Sequence, residues 1–186
     1  ISRSFRDERR AATESTDTAA ELTMTYVAEL VEDQLSIEAI HRLYTDVRPA
    51  ELLEQLERSF ATEPAGEVTP EIVLEMQRRG ALVLVHADGT GTWLTPNAEA
   101  FVGQRDLDSV RLEVALDGFD HTVAYQHGVG HIVDAVTSGR AVAGILIRPV
   151  SIAEIRRTAD ERLLMPPKST FFTPKLRTGL VVRPLD

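Results

Sequence analysis

The 186-residue chain has no cysteine. This excludes disulfides, cysteine-ligated zinc, Fe–S clusters and thiol catalysis, and it fits a reducing compartment. Aromatic residues make up only 5%, few for a groove that stacks the bases of single-stranded nucleic acid. No apolar run approaches the roughly 20 residues of a membrane span. The most apolar stretch, 141–147, has the length of a buried strand. No basic-then-apolar leader opens the sequence, so a cytoplasmic protein with no membrane partner is expected. A net charge of −9 argues against non-specific binding to duplex DNA, so nucleic acid is not an expected partner. Lysine has nearly vanished too: of 20 basic residues, only Lys168 and Lys175 are lysines.

What is present is an ordinary globular balance of 43% hydrophobic and 26% charged residues, enough for one compact domain or two small lobes. The charge is unevenly placed. The acidic excess is concentrated in residues 1–80, whereas 162–183 holds Arg162, Lys168, Lys175, Arg177 and Arg183 with no acid between them. Arg and Lys are not interchangeable where a compact ammonium is needed. Two lysines confined to this strip therefore mark it for attention.

The residue pattern alternates strands and helices. A helix is expected over 2–21, frayed near Ser15, then strands over 22–31 and 37–44. Pro49 opens a helix to Phe60, whose Leu52, Leu53 and Leu56 share a face. The polar Pro/Gly stretch 63–68 reads as a boundary, which divides the chain into a lobe at 1–65, the remainder of an N-terminal α/β lobe, and a C-terminal α/β lobe at 66–186. A helix to Arg79 stopped by Gly80, a hairpin over 81–95 turning at Asp88-Gly89, and a helix over 107–116 follow. The C-terminal half is a strand–helix–strand–helix unit: 122–126, 128–138, 141–148 and 151–162, the last opened by a capping box from Ser151 to Glu154. Short strands at 171–172 and 179–182 end the chain. The order predicts an α/β to α+β fold, a mixed sheet with helices.

Few catalytic patterns fit. No GxSxG is present for a serine hydrolase. His127 and His131 are spaced i,i+4 with Asp134 beyond, a spacing that suits zinc or iron. Gly128 and Gly130 between the two imidazoles spoil a rigid presentation, so no metal site is expected. The informative segment is Met165-Pro166-Pro167-Lys168-Ser169-Thr170. Its prolines stiffen the backbone, Lys168 brings a point charge, and Ser169 and Thr170 bring hydroxyls, so the loop can cradle a phosphate or carboxylate. The alternative is a rigid connector with a solvated lysine, and the residues alone leave both readings open.

The sequence MPPKSTFFTPKLRTGLV resembles the C-terminal signature of the bacterial and archaeal family catalogued as domain of unknown function 1015. Tyr125-Gln126-His127-Gly128-Val129, the strand at Ala143, and Pro149-Val150-Ser151-Ile152 follow in the same order. His41-Arg42 matches a His-Arg pair, and Phe5 to Arg10 resembles the helix that follows the family's Asp-Gly-His-His-Arg motif. The resemblance is most specific over 125–183. Family members are longer, so the chain is expected to be a C-terminal portion whose partner is the N-terminal half or a second chain. The resemblance implies a ParB-like or sulfiredoxin-like relative with ATP and Mg as cofactors and a small-molecule substrate. The implied activity is a nucleotide-dependent phosphotransferase acting on free serine or a similar hydroxy acid; the alternative is a non-catalytic nucleotide-binding or protein-interaction module. The ligand residues implied are Lys168, Ser169, Thr170, Lys175, Arg42 and His41.

Overall fold

The computed structural model describes residues 2–27, 29, 36–173, 175 and 182. They fall into two units: residues 32–173, and residues 1–31 with 174–186.

The larger unit is built on a six-stranded sheet. Its strands are β2 (Ile40–Thr45), β3 (Phe60–Glu67), β4 (Leu82–Val85), β5 (Thr90–Pro96), β6 (Thr122–His127) and β7 (Ala143–Leu146), in the order β3-β5-β4-β7-β2-β6. Every neighbouring pair is antiparallel, so the α+β end of the expected range is the one realised. β6 and β7 both flank β2 and run antiparallel to it, with α5 (Val129–Thr137) between them in sequence. The expected strand–helix–strand–helix unit is thus a split one, with β2 inserted between its strands, and α6 (Ile152–Asp160) completes it.

Helices cover both faces of this sheet. Leu82 and Leu84 of β4 pack with Leu52 and Leu56 of α2 (Pro49–Glu57) and Leu112 of α4 (Asp108–Ala115). Val83 and Val85 pack with Met76 of α3 (Ile72–Arg79) and Ile132 and Val136 of α5. This alternation along a strand buried on both sides follows from the two-residue period of the extended chain. α5 lies so close to the sheet that a Cβ on Gly144 would meet Ile132 Cγ2 at 2.4 Å. A separate two-stranded ribbon pairs β1 (Ser36–Glu38) with β8 (Phe171–Thr173).

The described residues depart from the expected elements in three places. The stretch 63–68 is not a loop: residues 63–67 belong to β3. β3 is at the edge of the sheet and its register shifts between Pro64 and Gly66. Edge strands and bulges are where proline and glycine are tolerated.

In the smaller unit, the first helix, α1 (Ser2–Thr13), is shorter than expected. A 3-10 turn, Ala19–Glu21, follows, tied back by Arg10 to Glu21. Residues 22–27 form no strand. Leu22, Met24, Tyr26 and Val27 are exposed there, and a β-branched, apolar run without a partner strand does not make a ladder. Residues 28, 30 and 31 of that expected strand, and 179–181 of the last one, lie outside the described residues.

Candidate functional site

The Lys168 loop is held from both ends. The Ser169 hydroxyl donates to the Pro166 carbonyl at 2.6 Å and is 3% exposed. That bond closes a turn in which Lys168 takes a left-handed backbone, φ 57°, with its side chain exposed. Thr170 is half-buried and leads into β8. β8 pairs Phe171 with Glu38, and the Phe171 ring stacks on His127 at 4.5 Å. The loop is thereby brought to the end of β2 and β6 where Ile40 and His127 are paired. Lys175 belongs to the other unit.

His41 and Arg42, neighbours in sequence, are sent to opposite faces of β2 by strand alternation. His41 is 3% exposed, and its Nδ1 accepts the Ile147 amide at 3.2 Å. The proton of the neutral ring is therefore on Nε2. Burial first, then the nearby charges of Arg42 and His127, lower its pKa to about 4. It is a neutral imidazole at any ordinary pH.

Arg42 lies on the other face, across from Tyr125 of β6. It is 5% exposed. One guanidinium nitrogen donates to the Ile40 carbonyl, and the guanidinium carbon is 4.8 Å from the centre of the Tyr125 ring. Among the described residues no carboxylate lies within ion-pair distance of it. A cation–π contact contributes about 0.5–2 kcal/mol, whereas taking an ion out of water costs several kcal/mol. The ring alone does not offset burial. Arg42 lines a cavity of about 350 Å³ together with Ser109, Glu113, Asp117, Phe119 and Tyr125. Ser109 is 3% exposed, and among the described residues its hydroxyl has no hydrogen-bond partner.

A second cavity, of about 400 Å³, is lined by Asp106, Asp108, Arg148, Ser151, Glu154 and Arg157. Here the charges are matched. Arg148 donates from its backbone N and Nε to Asp108 Oδ2 at 2.8 and 3.0 Å, and from a terminal nitrogen to Oδ1 at 2.6 Å. Arg111 adds a bond of 3.3 Å. The clasp ties α4 to the segment that follows β7. Among the described residues no three His, Asp or Glu side chains converge to hold a metal ion, and no helix is long and apolar enough to cross a membrane.

With this geometry in hand, the relatives of the chain can be stated. Residues 1–118 match the family described as "Protein of unknown function (DUF1015)". The chain belongs to this family. The match leaves out 125–183, where the sequence reading put the most specific resemblance. Among curated proteins there is no significant match. Among solved structures, the chain is similar to a mutant free serine kinase in complex with AMP, with a TM-score of 0.54 and 13% identity over 80% of this chain and 58% of that one. It is similar also to the free serine kinase itself in complex with AMP, with a TM-score of 0.51 and 12% identity over the same shares. At such identity the likeness is one of fold. The chain spans 58% of the length of these solved chains.

The sequence reading named Arg42 but not the residues that share its cavity. Ser109 and Glu113 are spaced i,i+4, which puts them on one face of a helix. That spacing was visible; its pairing with β2 was not, because 60 or more residues separate the two elements and only the sheet order brings them together.

Proposed function

We propose that this chain is part of a nucleotide-dependent small-molecule phosphotransferase whose acceptor is free serine or a similar small hydroxy acid. The observation that carries the reading is the fold similarity to a mutant free serine kinase in complex with AMP. The family resemblance to ParB-like proteins agrees with it. The Lys168 loop is the proposed phosphate contact. Its turn is closed by Ser169, so Ser169 positions the loop, and the exposed Lys168 ammonium is the group free to meet a phosphate oxygen. Thr170 remains a proposed ligand group beside it, and Lys175, in the other unit, remains one on its sequence alone. His41, neutral and bonded to a backbone amide, is assigned to holding β2 against the segment after β7 rather than to charge.

Phosphoryl transfer is mostly positioning and charge neutralisation, and an exposed lysine suits the second task. ATP with Mg2+ is the proposed cofactor; among the described residues no three His, Asp or Glu side chains converge on a metal ion, and no step is assigned to that ion. The proposed partner is the part of the longer relatives that this chain does not span. Incubating the longer protein with labelled ATP and a panel of amino and hydroxy acids tests the reading. Label appearing on serine or a congener is expected. Nucleotide binding without transfer to any acceptor would replace the enzyme with a nucleotide-binding module.

A further inference from the structure

Among the described residues Arg42 is a buried cation with no carboxylate within ion-pair distance; Glu113, across the cavity, acts on its charge from farther off. Its cavity is lined by Ser109, a buried hydroxyl with no partner among the described residues, and by two acidic side chains, Glu113 and Asp117. Arginine does not escape burial by losing its proton, and the described residues leave a place beside it for a group from outside. A carboxylate is the natural partner, since its two oxygens match the guanidinium fork. A purely anionic ligand would bring its charge close to Glu113 and Asp117. A ligand that carries an ammonium a few bonds from its carboxylate turns that repulsion into attraction. The volume, about 350 Å³, is at the small end of ligand pockets, and the rings of Phe119 and Tyr125 give it apolar walls.

We propose that this cavity binds a small zwitterion, an α-amino acid, with its carboxylate on Arg42 and the Ser109 hydroxyl and its ammonium toward Glu113 and Asp117. The site is distinct in its residues from the Lys168 loop. The inference concerns binding and does not rest on phosphoryl transfer; were transfer found, this cavity would be where the acceptor is held.

The test is calorimetric titration of the full chain, without nucleotide, with four probes: L-serine, L-alanine, glycolate and ethanolamine. Both amino acids should bind, glycolate more weakly for want of an ammonium, and ethanolamine not at all for want of a carboxylate. Arg42→Ala should weaken L-serine by about 10- to 150-fold, the span for a hydrogen bond to a charged group, and Arg42→Lys by less. Glu113→Gln should weaken L-serine while sparing glycolate, which separates recognition of the ammonium from loss of the fold. If Arg42→Ala does not fold, Ser109→Ala and Glu113→Gln decide the matter. No binding of either amino acid by folded wild type, or equal affinity in these variants, overturns the proposal. Its failure is distinguishable from that of the phosphotransferase reading, because these titrations contain no nucleotide and measure no turnover.

Discussion

Two cavities of similar size flank α4, and each holds an arginine, but they treat its charge in opposite ways. In one, Arg148 is matched by Asp108, which takes three bonds from it and one from Arg111. In the other, Arg42 meets a carbonyl and a ring face and no carboxylate among the described residues. His41, next to Arg42 on the strand, shows a third solution: burial is met by giving up the proton. A pairing complete within the chain reads as architecture, whereas a buried charge left incomplete reads as a site. The contrast can be broken or sharpened by experiment.

The largest effect is expected at the matched pair. The Asp108 side chain is 2% exposed. Asp108→Ala leaves Arg148 and Arg111 with only the exposed carboxylate of Asp106 and orphans the Arg148 backbone amide. Breaking a buried pair from one side costs about 3–5 kcal/mol. Urea unfolding should show a loss of that size with an unchanged m-value. A loss under about 1 kcal/mol would mean the clasp is solvated and the contrast with Arg42 is false.

His41 comes next and is read by pH. Its folded pKa, about 4, lies below the ordinary 6.5. The unfolded chain therefore takes up a proton first as pH falls. The stability contributed by the neutral ring is complete above pH 6.5, declines between 6.5 and 4, and is gone below. At 1.36 kcal/mol per unit the total is roughly 3 kcal/mol. His41→Gln keeps an acceptor for the Ile147 amide and should flatten the stability profile in that window. An unchanged slope would mean that His41 is protonated in the fold.

Much of this arrangement was legible in the sequence where local signals agreed with one another. Ser151 does accept the Glu154 amide at the start of α6, as the capping box required. Gly80 does end α3 in a left-handed conformation, φ 66°. The core strands β4 and β7 were visible as short apolar runs. β3 was not, because Glu63, Pro64, Gly66 and Glu67 are loop formers anywhere except on a sheet edge, and edge position is a tertiary fact. The run at 22–27 erred in the other direction: its side chains favour a strand, and none forms there. At the candidate sites, the residue types of His41, Arg42 and Lys168 stood out, but the residues that surround Arg42 did not. Alternation along the expected strand 37–44 already separates His41 from Arg42; what only the sheet order shows is that Ser109 and Glu113 stand around Arg42.

Lys168 is the exposed cation against which the buried ones are measured. Lys168→Ala should cost about 1.5–3 kcal/mol of nucleotide binding, or 10- to 150-fold in affinity, if the loop contacts phosphate. Folding should be little changed, since the side chain is solvated. Lys168→Gly should match it in binding and gain up to about 1 kcal/mol in stability, because the left-handed backbone no longer opposes a Cβ. Titration of ADP into both variants, alongside thermal melts, separates the two effects. Affinity untouched in both would leave the loop as a connector.

The smallest change in stability is expected where the charge is unmatched. Arg42→Met replaces a buried cation with an apolar side chain of similar reach, and the loss of one bond to the Ile40 carbonyl is set against the removal of a desolvated charge. Replacements of buried ionic groups by apolar ones of similar volume are often neutral or stabilising. In the absence of ligand, Arg42→Met should unfold within about 1 kcal/mol of the wild type, or later, in the same urea experiment that shows the large loss for Asp108→Ala. The two variants remove opposite members of what would otherwise look like equivalent buried ionic clusters, so their difference isolates whether the counter-ion belongs to the chain. If Arg42→Met is as damaging as Asp108→Ala, Arg42 is already satisfied within the fold and its cavity has no need of a carboxylate from outside. If it is benign while binding of L-serine is lost, the charge is kept for the ligand and not for the fold.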